Sequence, residues 1–538
     1  MLPIEHQNGF FNQFFYNVSE EPKSGNLTNM NLTNSTVKKI AIIFVVFLFA
    51  CQAEKQASVK WVSSTFNNPW VNQHRIEADR DPKTSDIAVL AGNTFQQIEG
   101  FGTCFNELGW TSLSVLPDAD REHIMQELFE PGKGANFTIC RMPVAANDFS
   151  REWYSYDETD GDFAMTNFSV DNDRETLIPF IKNAQKYRPG LAIWASPWCP
   201  PSWMKYNKHY ASASSLRMAD MARKYAEQRI AAGDTSALGG FFANVLDPQY
   251  QNDLPLDRQG AEGTDMFIQE DKYLQAYALY FSKFIDAYRA EGVDIFAVMP
   301  QNEFNSAQVF PSCCWTAAGL AGFIGNYLGP AMQEKGVEVI FGTMERPTEA
   351  LVDTILTDAE ASRYVSGVGF QWAGKDALPG ISKRYPNLKI FQTEQECGDG
   401  KNDWQGAMHS WELMKHYLGH GVSVYEYWNT SLLKGGISRW GWAQNSLVVV
   451  DGDQKSYEFT PEYYVMKHVS HFVQPGAYRI ETTGDYDDLL AFKNPDESIV
   501  LVVANQSDEE RKVSFQVAGK AYSPVLPANS INTVLVEK

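Results

Sequence analysis

Positive charge is scarce in this sequence. Across 538 residues, 66 Asp and Glu stand against 45 Lys and Arg, a formal net charge of −21. No long basic run interrupts that balance, which argues against nucleic acid and anionic membrane surfaces as partners. A Gly-rich phosphate loop of the Walker type is also missing. Cysteine is sparse, at 7 residues, and no Cys/His cluster has the spacing of zinc ligands. No metal and no other cofactor is implied. Aromatic residues, by contrast, are plentiful: 14 Trp, 24 Tyr and 33 Phe. They serve either a large core or a cleft in which flat rings pack against sugars.

No apolar run is long enough to span a bilayer, which takes about 20 residues. The nearest is "KKIAIIFVVFLFAC" (38–51), where two lysines precede an apolar run of eleven residues. That layout is a secretory signal. Its end, "LFAC", resembles a bacterial lipoprotein signal, in which Cys51 is lipidated and becomes the mature N-terminus. A plain signal peptide with an incidental cysteine is the alternative. Met30 opens a signal of ordinary length, so residues 1–29 read as an untranslated upstream stretch. The polar "QAEKQASVK" reads as a tether. Residues 1–57 are therefore set apart from the fold. The expected location is the bacterial cell envelope, in the periplasm or on the outer membrane, with membrane contact only through the lipid. Export permits disulfides among Cys104, Cys140, Cys199, Cys313, Cys314 and Cys397, but six cysteines allow fifteen pairings. The adjacent Cys313 and Cys314 admit a vicinal bond, while free buried thiols are the simpler expectation.

From residue 96 onward short apolar segments alternate with longer amphipathic ones, the mark of a parallel α/β sheet. Eight strands are expected: 97–102, 137–143, 191–197, 294–300, 337–342, 366–372, 388–394 and 423–428. Stretches such as "DADREHIMQELFE" and "YLQAYALYFSKFIDAYRAEG" carry apolar residues at helical spacing between them. Eight such units make a (β/α)8 TIM barrel over 96–471, with a long insertion at 206–270. From 472 to 538 the pattern becomes strands and turns, a β-sandwich. The strand-like pieces of 58–95 are expected to join it.

Catalytic groups of such barrels sit at the C-terminal strand ends. The fourth strand ends in "QNE", giving Asn302 and Glu303, and the seventh in "TEQE", giving Glu394, with Glu396 two residues on. Carboxylates facing each other across one mouth suit glycoside hydrolysis, and a separation of about 5–5.5 Å means retention through a covalent glycosyl-enzyme. Glu303 is then the general acid/base, and Asn302 hydrogen-bonds the sugar 2-hydroxyl. Glu394, which directly ends the apolar run, is preferred over Glu396 as nucleophile.

A string of segments makes the expectation specific. "IEGFGTCFNE", "CRMPVAANDFS", "ASPWCPPSWMK", "QNE", "QTEQECG", "YEYWN" and "PEYYVMKHVSHFVQPGAYRI" occur in order over about residues 96–485. This series resembles glycoside hydrolase family 30, which includes glucosylceramidases, β-xylosidases and β-1,6-glucanases. The resemblance implies Glu394 as nucleophile and Glu303 as acid/base. It also implies Glu107, Trp198 and Asn302 lining the terminal sugar pocket, Trp428 as its floor, and Arg141 beside the nucleophile, where it can lower its pKa.

Two departures bear on the sugar. Where the family often has His and, two residues on, Tyr, "FQWAG" gives Gln371 and Ala373, with Trp372 between. Where the family acid on the first strand is often Asp, this chain has Glu107. The sequence thus reads as a retaining β-glycosidase acting on a β-glucan, β-glucoside or β-xyloside. An endo-acting glycanase on the same scaffold is the alternative, and a non-catalytic carbohydrate-binding lipoprotein is disfavoured because both carboxylates are present.

Overall fold

The computed structural model describes residues 58–74, 76–79, 85–231, 244, 247–517 and 519–537. Cys51 and the signal-like segment lie outside the described residues.

Eight parallel strands close in chain order: β1 (Gly100–Cys104), β2 (Ile139–Val144), β3 (Ala192–Pro197), β4 (Ala297–Val298), β5 (Glu338–Met344), β6 (Val365–Gln371), β7 (Lys389–Glu394) and β8 (Val424–Asn429), with β8 paired back onto β1. All eight expected strands are present, six of them with ends within two residues of the expected ones, and two differ further. The first starts at Gly100 rather than 97, because Gln97 ends a strand of the sandwich, Ile87–Gln97. The fourth keeps only Ala297–Val298, since Pro300 has no N–H to continue a ladder.

Ile139, Trp194, Ala297, Met299, Ile340, Phe391 and Val424 fill the barrel interior. Because inward positions recur every second residue, the strands turn polar as they climb to the mouth. Ile139 is followed by Arg141, Trp194 by Ser196, and Val424 by Glu426 and then Trp428. Glycine is required where β1 lies against β2, since a Cβ on Gly102 would stand 1.5 Å from the Ile139 carbonyl oxygen. A Cβ on Gly369 would stand 2.7 Å from Met299 Cε and Thr393 Cγ2. Outside the barrel, helices bury one stripe each. Helix Leu177–Tyr187 covers Leu177, Ile178, Phe180, Ile181 and Ala184, spaced three and four apart.

The sandwich takes strands from both ends of the described chain. Val59–Thr65 pairs antiparallel with Ser530–Val536, and Ile87–Gln97 lies between Tyr478–Gly484 and Phe515–Val517. Leu489, Leu501, Val503, Phe515, Tyr522 and Val534 are among its core. Within 511–517 the chain forms two short strands, Arg511–Lys512 and Phe515–Val517, which have different partners. A three-stranded sheet after β8, formed by Ser431–Leu433, Val448–Asp451 and Ser456–Phe459, was not expected. Its strands are three or four residues long, too short for periodicity to register. Cys104, Cys140, Cys199, Cys313, Cys314 and Cys397 are buried free thiols, so the adjacent pair is not bonded.

Barrel and sandwich are joined by a buried imidazole. His468, in helix Pro461–Ser470, has Nδ1 2.8 Å from Thr533 Oγ1 and Nε2 2.8 Å from Ser64 Oγ. Thr533 spends its hydroxyl proton on the His468 carbonyl, so Nδ1 donates and Nε2 accepts. The ring is neutral. Burial, assisted by the charge of Lys467, lowers its pKa from 6.5 to about 3. A proton is then taken up by the unfolded chain below about pH 6.5 and excluded from the fold until about pH 3, so stability falls as pH drops through that window. This one residue should cost about 2 kcal/mol between pH 7 and pH 5. His468→Gln should be less stable at pH 7 yet lose less on acidification, as read from melting temperatures at the two pH values.

Candidate active site

The mouth is organised around a guanidinium. Arg141, on β2, is fully buried. Its Nη1 donates to Glu394 Oε2 (3.0 Å) and the Thr393 carbonyl (2.9 Å); its Nη2 donates to Asn302 Oδ1 (2.6 Å) and Ser196 Oγ (2.9 Å). One side chain thus ties the ends of β2, β3, β4 and β7. Trp198 lies 4.3 Å from the guanidinium carbon and Trp428 5.4 Å, measured to ring centres, and the two indoles stack on each other at 5.2 Å. Both are almost fully buried, forming a packed floor.

Glu394 enters the mouth because β7 slips register against β6 between Gln392 and Glu394, a bulge that re-aims the last side chain. Its second oxygen accepts from Trp372 Nε1 at 2.9 Å. Glu303 leaves the end of β4 with φ at +46°, and Trp372 leaves β6 with φ at +47°. A left-handed backbone costs a non-glycine residue roughly 1–2 kcal/mol, and here both instances carry side chains to the same point. Thr343 Oγ1 accepts from the Glu303 N–H (2.8 Å) and donates to Asn302 Oδ1 (3.1 Å).

Gln371 measures the gap between the acids. Its Nε2 donates to Glu303 Oε1 at 3.1 Å and to Glu394 Oε2 at 3.2 Å. Those two bonds laid end to end, 3.1 and 3.2 Å, reach 6.3 Å, below the ~6.5–9.5 Å of inverting enzymes. The same nitrogen also lies 3.3 Å from Asn302 Oδ1, so one amide gathers both acids and the sugar-facing Asn302.

The two carboxyls are not equivalent. Burial and the negative charges of Glu394, Glu345 and Asp148 hold Glu303 well above the usual carboxylate range. Burial also raises Glu394, but Arg141, Trp372 and Gln371 oppose it by charge and by donated hydrogen bonds. The proton of the pair therefore resides on Glu303, and Glu394 is the anion.

Of the residues singled out in the sequence, Arg141, Trp198, Asn302, Glu303, Gln371, Trp372, Glu394 and Trp428 converge here. Glu107 does not. It opens helix Glu107–Ser114, where Arg151, Asn172 and Thr176 donate to its carboxylate. Oε1 takes three of these donors and Oε2 only the Arg151 N–H, so Oε2 keeps a lone pair for a further donor. Glu396 is likewise engaged elsewhere, with Lys375 (2.7 Å) and His409 (3.0 Å). Asp148 was missed. It is buried beside the pair, its Oδ1 has no protein partner, and burial with the Glu394 charge raises its pKa well above the usual value. Its signal was available in "CRMPVAANDFS", seven residues past Arg141. Gln308, which donates to Glu303 Oε2 at 3.1 Å, lies in an irregular loop and gave none.

The family model of the glycosyl hydrolase family 30 TIM-barrel domain matches residues 98–228 and 258–473, and that of the family's β-sandwich domain matches 476–534. The chain belongs to glycosyl hydrolase family 30. It is accordingly an O-glycoside hydrolase, a retaining β-glycosidase. Lysosomal acid glucosylceramidase of Mus musculus is 26% identical over 490 residues, covering 86% of this chain and 85% of that one. An endo-1,6-β-D-glucanase of Neurospora crassa is 24% identical over 476 residues, covering 81% and 85%. Among solved structures, SrfJ from Salmonella typhimurium superposes with a TM-score of 0.75 at 20% identity, covering 89% of this chain and all of that one, a likeness of fold.

Gln371 favours the charged form of both acids. Gln371→Leu should raise both pKa values, moving the acid and the alkaline limbs of the kcat/KM profile upward together, with kcat falling roughly 10²-fold. A pH profile on an aryl β-glucoside reads this, and unmoved limbs would show that the amide is passive.

Proposed function

We propose that the chain cleaves β-glucosides, with Glu394 as nucleophile and Glu303 as general acid/base. The observation that carries this reading is the shared Gln371 amide, which holds the two carboxyls closer together than the inverting spacing. Glu394 attacks the anomeric carbon while Glu303 passes its proton to the glycosidic oxygen; the C–O bond breaks and an alcohol leaves. Neutralising Glu394 as an ester removes the charge that held the Glu303 proton, so Glu303 emerges as a carboxylate able to take a proton from water. That water attacks the same carbon, expels Glu394 and releases the sugar with its configuration retained.

Asn302 is oriented for the sugar. Its Oδ1 accepts from Arg141, Thr343 and Gln371, which leaves Nδ2 as the free donor, placed for the 2-hydroxyl. Asp148 Oδ1 and Trp428 Nε1, both buried without protein partners, offer an acceptor and a donor for further hydroxyls. Trp198 and Trp428 line the terminal sugar pocket, with Trp428 as its floor. The glucosyl preference rests on the relatives, whose names specify a glucosylceramide and a 1,6-β-glucan. The envelope location rests on "LFAC" alone: Cys51→Ala should shift the full chain from the membrane fraction to the soluble one and abolish labelled-lipid incorporation.

Glu394→Gln should lower kcat on p-nitrophenyl β-glucoside by at least 10⁴-fold. Glu303→Ala should slow substrates with poor leaving groups far more than activated aryl glycosides, whose departure needs no proton. Equal losses on both substrates would remove Glu303 from the acid/base role.

A further inference from the structure

We propose a second carbohydrate subsite, for a neutral β-linked pyranose beyond the unit that is cleaved, in a cavity between the loops after β2, β3 and β8. The proposal rests on the glycosidase reading and extends it to oligosaccharide substrates. The cavity holds about 300 Å³ and is lined chiefly by Glu152, Trp153, His209, Tyr210, Asp253 and Arg439, a size at the lower end of small-molecule sites.

Its wall is aromatic. Trp153 and Tyr210 stack at 5.1 Å and 22°, and His209 stacks on Tyr210 from 4.3 Å. Tyr210 is the one ring that Trp153 contacts among the described residues. Trp153 is half-buried, so its other face is available for the C–H face of a sugar ring. The polar groups beside it are of both kinds. His209 Nδ1 accepts from the Ala211 N–H, and the ring is also hydrogen-bonded to the Asn252 backbone, which holds the imidazole against Tyr210. Arg439 is held by Glu152 through Nε (2.9 Å) and by the Gln249 carbonyl through Nη1 (2.8 Å), which leaves Nη2 to donate. Asp253 is an exposed acceptor. One cation faces two carboxylates and a neutral imidazole, a balance that suits hydroxyls and disfavours uronates or phosphates.

The cavity adjoins the reacting groups through the chain. The loop after β2 runs from Asp148 to Trp153 in five residues. On the other side, Ser212 and Ala213 donate their N–H groups to the Gln308 carbonyl (3.1 and 2.8 Å), and Gln308 reaches Glu303. The lining residue Asp253 and the Gln249 carbonyl that holds Arg439 both belong to 229–257, the stretch between the two segments matched by the barrel model. The aromatic residues Trp153, His209 and Tyr210 lie within the matched segment 98–228, so only this polar edge of the cavity falls outside the family model.

The test is a chain-length series. Full-length protein would be assayed on p-nitrophenyl β-glucoside and on β-1,3-, β-1,4- and β-1,6-linked gluco-oligosaccharides of two to five units. In at least one linkage kcat/KM should climb about tenfold with length. Trp153→Ala should lower the ratio of oligosaccharide to aryl-glucoside kcat/KM by a similar factor, and Trp153→Phe should restore most of it, with melting temperatures confirming intact folds. Calorimetry on Glu394→Gln should show oligosaccharide binding that weakens when Trp153→Ala is added. A flat length dependence in every linkage, or a ratio that Trp153→Ala leaves unchanged, would overturn the proposal. Oligosaccharide binding that depends on Trp153, in a protein that turns over no substrate, would support the cavity and retire the glycosidase reading separately.

Discussion

The site depends on one buried cation. Arg141 has no solvent, and every N–H of its guanidinium finds an acceptor from another strand end. Breaking a buried pair by removing one partner costs about 3–5 kcal/mol, so this residue constrains everything it touches. It fixes the rim of Glu394, turns Asn302 so that the amide nitrogen faces outward, and presses its flat face against Trp198. The nucleophile, the sugar donor and the floor are thereby set by a single side chain on β2. A lysine could supply the charge but not the fork.

That cation also sorts the proton. Two carboxyls in one dry mouth cannot both ionise cheaply. Arg141 and the Trp372 indole favour charge on Glu394, whereas Glu303 faces Glu345 and Asp148 and receives only amide donors. The asymmetry that separates acid from nucleophile therefore comes from the neighbours, since both residues are glutamates at strand ends facing one mouth. It reverses itself during turnover, because the covalent step consumes the very charge that keeps Glu303 protonated.

The barrel was legible because its signals are local. Strand runs, helical stripes and acids at strand ends survive in a linear reading, and eight strands with Glu303 and Glu394 followed from them. What escaped depends on contacts distant in sequence. Gln97 belongs to the sandwich because of Tyr478, not because of its neighbours. The partners of Glu107 (Arg151, Asn172 and Thr176) lie 44 to 69 residues away and are invisible in its own motif. Gln371, a departure from the family pattern, gains its role only when β4 and β7 bring a carboxylate to each side of one amide. Asp148 lay in a quoted motif, yet nothing in the string marks it as buried with an idle oxygen.

The insertion after β3 is fastened in the same manner as the mouth, by a buried cation. Lys205 is fully buried and donates to the carbonyls of Tyr210, Ala211 and Ser312 at 3.2, 3.2 and 2.5 Å. Three carbonyl dipoles replace the water an ammonium would otherwise hold, so the lysine is stable only while both segments stay in place. One segment carries Tyr210 of the aromatic wall; the other follows Gln308, which touches Glu303. The aromatic wall and the acid/base are thus joined by one stretch of hydrogen-bonded backbone, through Lys205, Ser312 and Gln308, that belongs to no barrel strand.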